Sequence, residues 1–405
     1  MKRIQNSKKG SSAVFLSIIL AALIAIVMAL IYSVRENCIA GRMDGIVSLA
    51  GDSVMSEFNY YVQKDYGLFL IRGTDRELTE KLRGYIDFSV KNMEDANIQY
   101  AKATGSAFPA SDTSLIRKQI IEHVKFIEAE GIKERLSKED SKADNDMENA
   151  VLRHGPTIVS LPSYSVPKKS LTQLARNIAE NEKNIEKVFK KGTEKYSINR
   201  YILSCFNNRV YKTDENHFFK NEAEYILGGE KSDRKNEKRV EMALRAMRIP
   251  LNLAHIYSDS EKRAAVIAAA ELIAPGAGAA AAQLALATTW AYAEADNDVE
   301  LLWQGYKIPI IKDKSTWAID LDSAVEGIMG GTALPDKERG YDYTEYLQIL
   351  LFFCDESIKT ARILDLIQIN MRKCYEKDFF IEEHAAGLGI DVKVNDKLYR
   401  YEKKY

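Results

Sequence analysis

The sequence predicts a mostly α-helical protein with minor β structure: an N-terminal transmembrane helix that continues into a stem, followed by a helical (α+β) extracytoplasmic domain. Three observations lead to this prediction. An uncharged run, AVFLSIILAALIAIVMALIYS, extends from Ala13 to Ser33; apolar residues recur at helical spacing through most of the remaining chain; and residues 306–321 alternate between apolar and polar side chains. The 405 residues, 46% of them hydrophobic, are enough for a folded core beyond the anchor.

The first two predicted segments are a basic head, residues 1–10, and a transmembrane helix, residues 11–34. About twenty apolar residues in a helix cross the hydrocarbon core of a bilayer. A cleaved secretory signal is the main alternative, but its apolar region is usually shorter and ends at a small-x-small site. Here Tyr32, Val34 and Arg35 occupy the end of the run, which favours a retained anchor.

The charges beside the apolar run predict its orientation. The cations that precede it are Lys2, Arg3, Lys8 and Lys9, and those that follow it closely are Arg35 and Arg42. Positive charge accumulates on the cytoplasmic side of membrane spans. We therefore expect a single-pass protein of the cell membrane with a cytoplasmic N-terminus and an extracytoplasmic C-terminal domain.

Small residues repeat at four-residue intervals within the span, and they are Ser17, Ala21, Ala25, Ala29 and Ser33. Such a ridge lets a second membrane helix approach closely, so it predicts lateral packing against a partner or a second copy. Alanine is also common in plain membrane anchors. The span contains no charged residue that would indicate ion transport.

The stem is predicted over residues 35–74 as a continuation of the membrane helix. Its apolar residues at helical spacing are Val47, Ala50, Val54, Phe58 and Tyr61, and the pattern stops near Gly67. Three glycines, at positions 41, 45 and 51, each lower helix propensity by about 1 kcal/mol relative to alanine. They predict either close packing or a bend.

A charged helical region and linker, residues 75–165, is predicted to hold one or two surface helices before residue 149, a turn at residues 103–114 and a polar loop at residues 136–150. Three prolines then mark a boundary, and they are Pro156, Pro162 and Pro167. Beyond it, residues 166–405 are predicted to form a mainly helical extracytoplasmic domain with short strands.

Within that domain, apolar periodicity predicts helices over residues 171–191, 240–257, 262–274 and 279–295, and a central helix over residues 343–373. The charge-rich residues 228–239 are predicted to form a solvated loop. The alanine-rich residues 262–295 could be mistaken for a second membrane span. Because Glu271, Pro275 and Gln283 interrupt them, a close-packed soluble helix pair is favoured.

Acidic residues alternate at the end of this pair, and they are Glu294, Asp296, Asp298 and Glu300. They lack the glycine spacing of a calcium-binding loop, so a helix cap and solvated edge is predicted. An alternative function, a membrane-tethered extracytoplasmic enzyme or ligand-binding receptor, would require a pocket where acids and histidines converge. The candidate residues for it are Glu294, Asp298 and His255.

The search for catalytic motifs is otherwise negative, and no catalytic residue, metal ligand or cofactor site is predicted. The isolated histidines are His123, His154, His217, His255 and His384; no HExxH, phosphate-binding loop or nucleophile elbow occurs.

The scattered cysteines, predicted as buried thiols with at most one disulfide, are Cys38, Cys205, Cys354 and Cys374. The net charge of −1 includes a basic head, so the remainder is acidic and nucleic-acid binding is not expected.

The head KKGSSAVFLSIILAALIAIVMALI resembles the start of the TadE/TadG-like proteins of tight-adherence (Tad, Flp-type) pilus systems. The resemblance implies a bitopic assembly component. In pseudopilins a prepilin peptidase cuts after a glycine equivalent to Gly10, which would leave Ser11 as the new N-terminus. Their usual glutamate, five residues beyond that glycine, is replaced here by Phe15. This departure makes the chain more similar to the TadG-like branch.

Further blocks resemble the same systems. RMDGIVSLAGDSV matches the post-membrane helix of the TadG-like branch at Asp44 and Ala50, and EFNYYVQKDYGLF, with Tyr66, Gly67 and Phe69, resembles a poorly characterised family of large Gram-positive membrane proteins associated with pilus operons. The resemblance implies a structural component, not an enzyme, that acts through protein contacts. Its implied partners are the membrane, Tad pilus assembly proteins or pilin subunits, and a second copy of the chain. An adhesin is a further alternative.

Overall fold

The computed structural model describes residues 9–93, 96–129, 149–153, 155–167, 169–212, 217–327 and 339–405. The described residues are mostly helical with small sheets, as the sequence predicts. The chain divides into two compact units. The first unit comprises Met1–Phe58, Ile71–Pro109 and Ala385–Tyr405, and the second comprises Asn59–Leu70 and Ala110–His384. Both units are discontinuous in sequence, so their boundaries differ from the linear division predicted above.

The α-helices are α1 (Lys9–Met55), α2 (Tyr60–Tyr66), α3 (Asp75–Val90), α4 (Thr113–Ala129), α5 (Pro156–Val159), α6 (Leu171–Glu180), α7 (Glu194–Cys205), α8 (Glu222–Gly228), α9 (Asp233–Ser258), α10 (Ser260–Ile273), α11 (Ala279–Trp303), α12 (Leu321–Glu326), α13 (Tyr343–Phe353) and α14 (Glu356–Cys374). Short 3₁₀ helices cover Glu182–Phe189, Gly276–Gly278 and Ile381–Glu383. The strands are β1 (Ile71–Arg72), β2 (Ile98–Thr104), β3 (His384–Ala385), β4 (Gly387–Val394) and β5 (Lys397–Lys404).

The first unit is built on a three-stranded antiparallel sheet with strand order β2-β4-β5. Strands β4 and β5 form a hairpin whose two-residue turn is Asn395 and Asp396, with φ of 46° and 66°. Asparagine and aspartate tolerate this left-handed conformation better than other residues with a side chain, and tight hairpin turns require it. The sequence therefore carried a hairpin signal that our prediction missed.

The second half of α1 packs on this sheet. Its buried residues Met43, Val47, Ala50 and Val54 recur at helical spacing and share a hydrophobic core with β4. A Cβ atom at Gly51 would clash with Cδ1 of Ile390, so glycine lets the helix approach the sheet closely without displacing that side chain. The predicted helical face is confirmed at Val47, Ala50 and Val54, but the helix ends at Met55 and not near residue 67, so Phe58 and Tyr61 do not belong to it.

Helix α1 has no interruption along its 47 residues and continues through the glycines at positions 41 and 45. The predicted stem, residues 35–74, is therefore not one element. After α1 ends, the chain forms the separate helix α2 within the second unit, and this helix ends at Tyr66 with Gly67 as its cap.

The core of the second unit contains α13 and α14, where one central helix was predicted. Leu347, Leu350, Leu364 and Ile367 are fully buried, which confirms the predicted core face at these positions. The helix is divided in two because the Asp355 carboxylate accepts hydrogen bonds from the backbone N–H groups of residues 357 and 358, at 3.0 and 3.3 Å, and so starts a new helix.

The strands predicted within residues 306–321 do not form. In the described chain this segment makes one isolated bridge, between Ile308 and Tyr341. The reason is that its carbonyl groups bind side chains instead of a neighbouring strand. Arg248 Nη1 donates to the carbonyl oxygens of Pro309 and Ile310 at 2.9 and 2.8 Å.

The other local predictions have different outcomes. The loop predicted at residues 228–239 is partly wrong, because α9 begins at Asp233, and the Asn236 side chain accepts the Glu230 N–H at 2.7 Å and donates to the Ser232 carbonyl. The polar loop predicted at residues 136–150 lies almost entirely outside the described residues. The predicted helices over residues 240–257, 262–274 and 279–295 are confirmed as α9, α10 and α11, with longer bounds for α9 and α11.

Candidate functional site

The apolar half of α1 is the most unusual surface of the described chain. From residue 13 to residue 34 every side chain is exposed, including Leu16 at 66% and Leu20 at 60%. The helix is long and apolar enough to cross a membrane, with a mean hydropathy of 3.2 over its most apolar window. Exposing so large an apolar surface to water is unfavourable, so this surface is compatible with membrane anchoring.

The predicted small-residue ridge lies on this exposed half. None of its five members, Ser17, Ala21, Ala25, Ala29 and Ser33, is buried by the chain. The Ser17 hydroxyl donates to the Val14 carbonyl at 2.8 Å, so its hydrogen-bonding need is met within the helix. Gly10 and Ser11 lie in the first turns of α1, and their cleavage stays a prediction.

A row of polar contacts joins α1 to strand β5, and we call it the strand–helix ladder. Its donors are every second residue from Tyr399 to Tyr405. Tyr399, Tyr401 and Lys403 belong to β5, and Tyr405 directly follows the strand. Their acceptors along α1 are the Ala40 carbonyl at 3.2 Å, the Asp44 carboxylate, the Asp52 carboxylate at 2.6 Å and the Met55 carbonyl.

The ladder follows from matching repeats. The Lys403 ammonium also donates to the Ser48 hydroxyl at 3.2 Å, so three alternate strand residues reach Ala40, Asp44 and Ser48, which are four residues apart. Two residues of a strand advance by about 6.6 Å and four residues of a helix by about 6 Å, so these three pairs of side chains stay in step. Burial, together with the hydrogen bond to Asp44, raises the pKa of Tyr401 to about 12. Asp44 and Ala50, the two family-like positions in α1, thus attach the helix to its own unit: one through the ladder and the other through the core.

The other family-like positions belong to the second unit and serve its packing. The Tyr66 hydroxyl accepts a hydrogen bond from Asn370 at 3.1 Å, and burial raises its pKa. Gly67 has φ of +63°, and a Cβ atom there would lie 2.1 Å from the His123 ring. The backbone N–H and carbonyl of Phe69 both bond the Gln119 amide, at 2.8 and 3.2 Å.

The acidic residues at the end of α11 contradict the predicted solvated edge, because Glu294 and Asp298 are both fully buried. Lys312 Nζ lies 2.5 Å from Asp298 Oδ1 and also contacts Glu294. Arg248 Nε donates to Asp298 Oδ2 at 2.9 Å. We call these four residues the buried ion network. Its carboxylates share one helix face because they are four residues apart.

The buried ion network is satisfied by its surroundings. Glu294 also accepts the backbone N–H groups of Ala318 and Ile319, at 3.0 and 2.8 Å. Burial raises the pKa of Asp298, but Lys312 and Arg248 lower it by more, and the result lies below its usual range. Two carboxylates and two cations leave no net charge, so the network has the features of a structural link between α9, α11 and the segment that follows α11.

The alternative function, an enzyme or receptor, required His255 to lie in one pocket with Glu294 and Asp298, and the structure does not show this arrangement. The His255 ring stacks on Trp317 with centroids 5.1 Å apart, and burial lowers its pKa. Within the described residues, no group of three or more histidine, cysteine, aspartate or glutamate side chains is arranged to hold a metal ion. The enzyme or receptor hypothesis therefore has no open acidic site at this position, because Glu294 and Asp298 are buried.

An open cleft of about 350 Å³ lies elsewhere in the second unit, between α6 and the junction of α13 and α14. Lys169 and Asp355, 3.5 Å apart, belong to its lining, as does Cys354. Burial raises the pKa of the Cys354 thiol, which disfavours the reactive thiolate. No disulfide joins the four cysteines, and the prediction of buried thiols is wrong: Cys38 and Cys374 are exposed, and Cys205 and Cys354 are only partly buried.

Comparison with known proteins gives one match. A family model described as a family of unknown function, DUF5702, matches residues 116–396. No curated protein and no solved structure matches the chain. The matched range begins inside α4 and ends at the β4–β5 turn, so the anchor half of α1 lies outside it. Because the match covers more than half of its residues, the chain belongs to this family of unknown function, DUF5702.

Proposed function

We propose that this protein is a single-pass, membrane-anchored structural component of a Tad (Flp-type) pilus, pseudopilin-like or TadG-like, that acts through protein contacts. Its N-terminus is cytoplasmic, and the parts of both compact units that follow the apolar run are extracytoplasmic. The observation that carries the proposal is the continuity of α1. One uninterrupted helix presents an exposed apolar half and then enters the core of the first unit.

This continuity suits a component that assembles by contact. A helix held by a buried face and by the strand–helix ladder has no flexible hinge between the membrane segment and the folded unit. The position of the membrane segment and that of the first unit are therefore mechanically linked. A tethered enzyme needs no such rigid connection, because a flexible linker would hold it at the membrane equally well.

The small-residue ridge supplies the proposed contact surface. In a bilayer, helices associate through close packing because lipid tails are as apolar as the side chains. A ridge of serine and alanine permits that approach, whereas leucine or isoleucine on the same face would hold the backbones apart. The expected partner is the membrane helix of a pilus subunit, of an assembly protein or of a second copy.

The test is photo-crosslinking in cells that carry the pilus system. A photoreactive phenylalanine analogue placed at position 18, beside the ridge, should capture a partner from the membrane. The double substitution Ala21→Leu and Ala25→Leu should lower the yield of that adduct by at least tenfold and reduce the number of surface pili. The matched control is Ala22→Leu, which adds the same side chain outside the ridge, about 100° around the helix from Ala21 and about 60° from Ala25.

Two outcomes would count against the proposal. Adducts that persist unchanged in the double variant would show that the ridge does not form the contact. An adduct whose protein component, identified by mass spectrometry, is unrelated to the pilus would contradict the assignment to pilus assembly even if the ridge forms the contact.

A further inference from the structure

The helical hairpin formed by α10 and α11 ends in an exposed apolar tip, which we define as residues 267–284. Leu272 is 86% exposed, Ile273 66%, Leu284 56% and Ile267 38%. Between residues 263 and 294, which are themselves charged, the chain contains one charged residue, Glu271. A cluster of exposed aliphatic side chains of this kind marks a contact surface.

The exposure does not result from a poorly packed hairpin. On the inner face Val266 and Ala270 share a core cluster with Leu286 and Trp290. The Trp290 indole N–H donates to the Ile319 carbonyl at 2.8 Å, which fixes the base of α11. The hairpin is thus a supported projection, and its tip and outer faces are the parts left uncovered.

We infer that this tip inserts shallowly into the outer leaflet of the membrane, so that the second unit contacts lipid in addition to the anchor. The inference rests on the membrane anchoring in the proposed function. From Ile267 to Ile273 the helix rises by about 9 Å. That height matches the depth of about 5–10 Å to which apolar faces enter the boundary between headgroups and acyl chains.

The backbone of the tip is hydrogen-bonded internally in part. Groups that enter hydrocarbon must have their hydrogen bonds made internally, whereas the first N–H groups of α11, which no side chain caps, need water or headgroups and so require a shallow position. The Ala274 N–H donates to the Ala270 carbonyl at 2.9 Å, and the Gly276 N–H points to the Glu271 carboxylate at 3.5 Å. Glu271, the single charged residue of the tip, therefore points toward the turn between the two helices and need not face the acyl chains.

The residues at the base of the tip suit headgroups. Arg263 is exposed and lies one turn before the tip, and Tyr292, 43% exposed, lies two turns after it. Arginine attracts anionic lipids, and tyrosine is favoured at the membrane–water interface. The order along both helices, from aliphatic tip to amphipathic base, follows the change from acyl chains to headgroups.

A lipid surface fits the tip better than a protein partner does. Protein interfaces concentrate their binding energy in tryptophan, tyrosine and arginine anchors. The tip contains none of these residues and consists mainly of alanine, leucine, isoleucine and glycine. Lipid needs no shape-complementary anchor, and the membrane helix of the same chain keeps the bilayer at high effective concentration.

The test uses the full chain with its four cysteines replaced by serine, and one new cysteine carrying an environment-sensitive fluorophore. The protein is reconstituted into vesicles of phosphatidylcholine and phosphatidylglycerol that contain nitroxide-labelled lipids. For Leu272→Cys we expect blue-shifted emission and at least twofold quenching, stronger with a shallow nitroxide than with a deep one. Val159→Cys, 62% exposed on α5, is the matched control that should remain unquenched.

A second position separates failure of this inference from failure of the proposed function. Leu20→Cys reports the anchor itself. Quenching at position 20 with water-like, unquenched emission at position 272 would overturn the tip insertion and leave the anchor intact. The absence of quenching at both positions would overturn both. A blue shift at position 272 without lipid quenching would show that a protein covers the tip, which also overturns the inference.

Discussion

At the scale of single residues, Lys312 is the cation on which the buried ion network depends. It contacts both Glu294 and Asp298, whereas Arg248 contacts Asp298. Without Lys312, two buried carboxylates would face one arginine, and Glu294 would lose its cationic partner. Breaking a buried ion pair by removing one member is costly because it leaves an uncompensated charge.

We therefore predict that Lys312→Met lowers the free energy of unfolding by about 3–5 kcal/mol. The matched control is Lys314→Met, two residues away. Lys314 forms an exposed pair with Glu261, with side-chain exposures of 60% and 76%, so its loss should cost less than about 1 kcal/mol. Thermal unfolding followed by circular dichroism in detergent measures both variants. Equal losses of stability would show that the network is not a structural link.

The buried ion network also shows where inference from sequence failed. Alternating acids at a helix end were interpreted as solvated because nothing local places a cation nearby. The partners Arg248 and Lys312 come from an earlier helix and a later segment, and only the fold brings them to Asp298. The four-residue spacing of Glu294 and Asp298 was the one available signal, and it does not identify the partners.

At the scale of elements, the long helices were predicted, and the strands that form were missed. The anchor, α9, α10 and α11 each carry many turns of apolar periodicity or an unbroken apolar run, so local information was sufficient. Strand β4 pairs with β2, almost three hundred residues earlier in the chain, and five of the eight residues of β5 are charged. Pairing partners at that separation leave no local pattern, and the alternation in β5 was hidden by its charge.

The strand–helix ladder gives the prediction at this scale. Tyr401→Phe together with Lys403→Met removes the bonds to Asp44 and Asp52 while keeping most of the buried carbon. Each lost bond is worth about 1–2 kcal/mol, so residues 40–55 of α1 should open more often. Hydrogen exchange of these amides should accelerate by at least tenfold.

The control for the ladder is Tyr164→Phe, because Tyr164 is 60% exposed and lies in the second unit. It makes the same chemical change without touching α1. If the ladder variant exchanges at the rate of the unaltered protein, then the apolar core of the first unit alone fixes the helix. The rigid connection would then depend on Val47 and Ala50 and not on the polar row.

At the scale of the whole molecule, the matched family and the proposed role concern different parts of the chain. The family of unknown function covers residues 116–396, which includes most of the second unit, whereas the anchor and the ridge lie before it. The proposed role in a pilus therefore rests on the segment outside the matched range and on the continuity of α1. The direction in which that segment crosses the membrane decides whether such a role is open to the two units.

We predict that Cys38, exposed and close after the apolar run, faces the outside of the cell. In a variant with serine at positions 205, 354 and 374, a membrane-impermeant maleimide should label Cys38 in intact cells to at least 80% of its extent in lysed cells. The matched control is Ser7→Cys in a cysteine-free background, which should react only after lysis because residue 7 lies in the basic head that precedes the span. Labelling of Cys38 only after lysis would reverse the orientation and remove the units from the surface where pili assemble. Labelling of both positions in intact cells would mean that no membrane lies between them, and the anchor itself would be disproved.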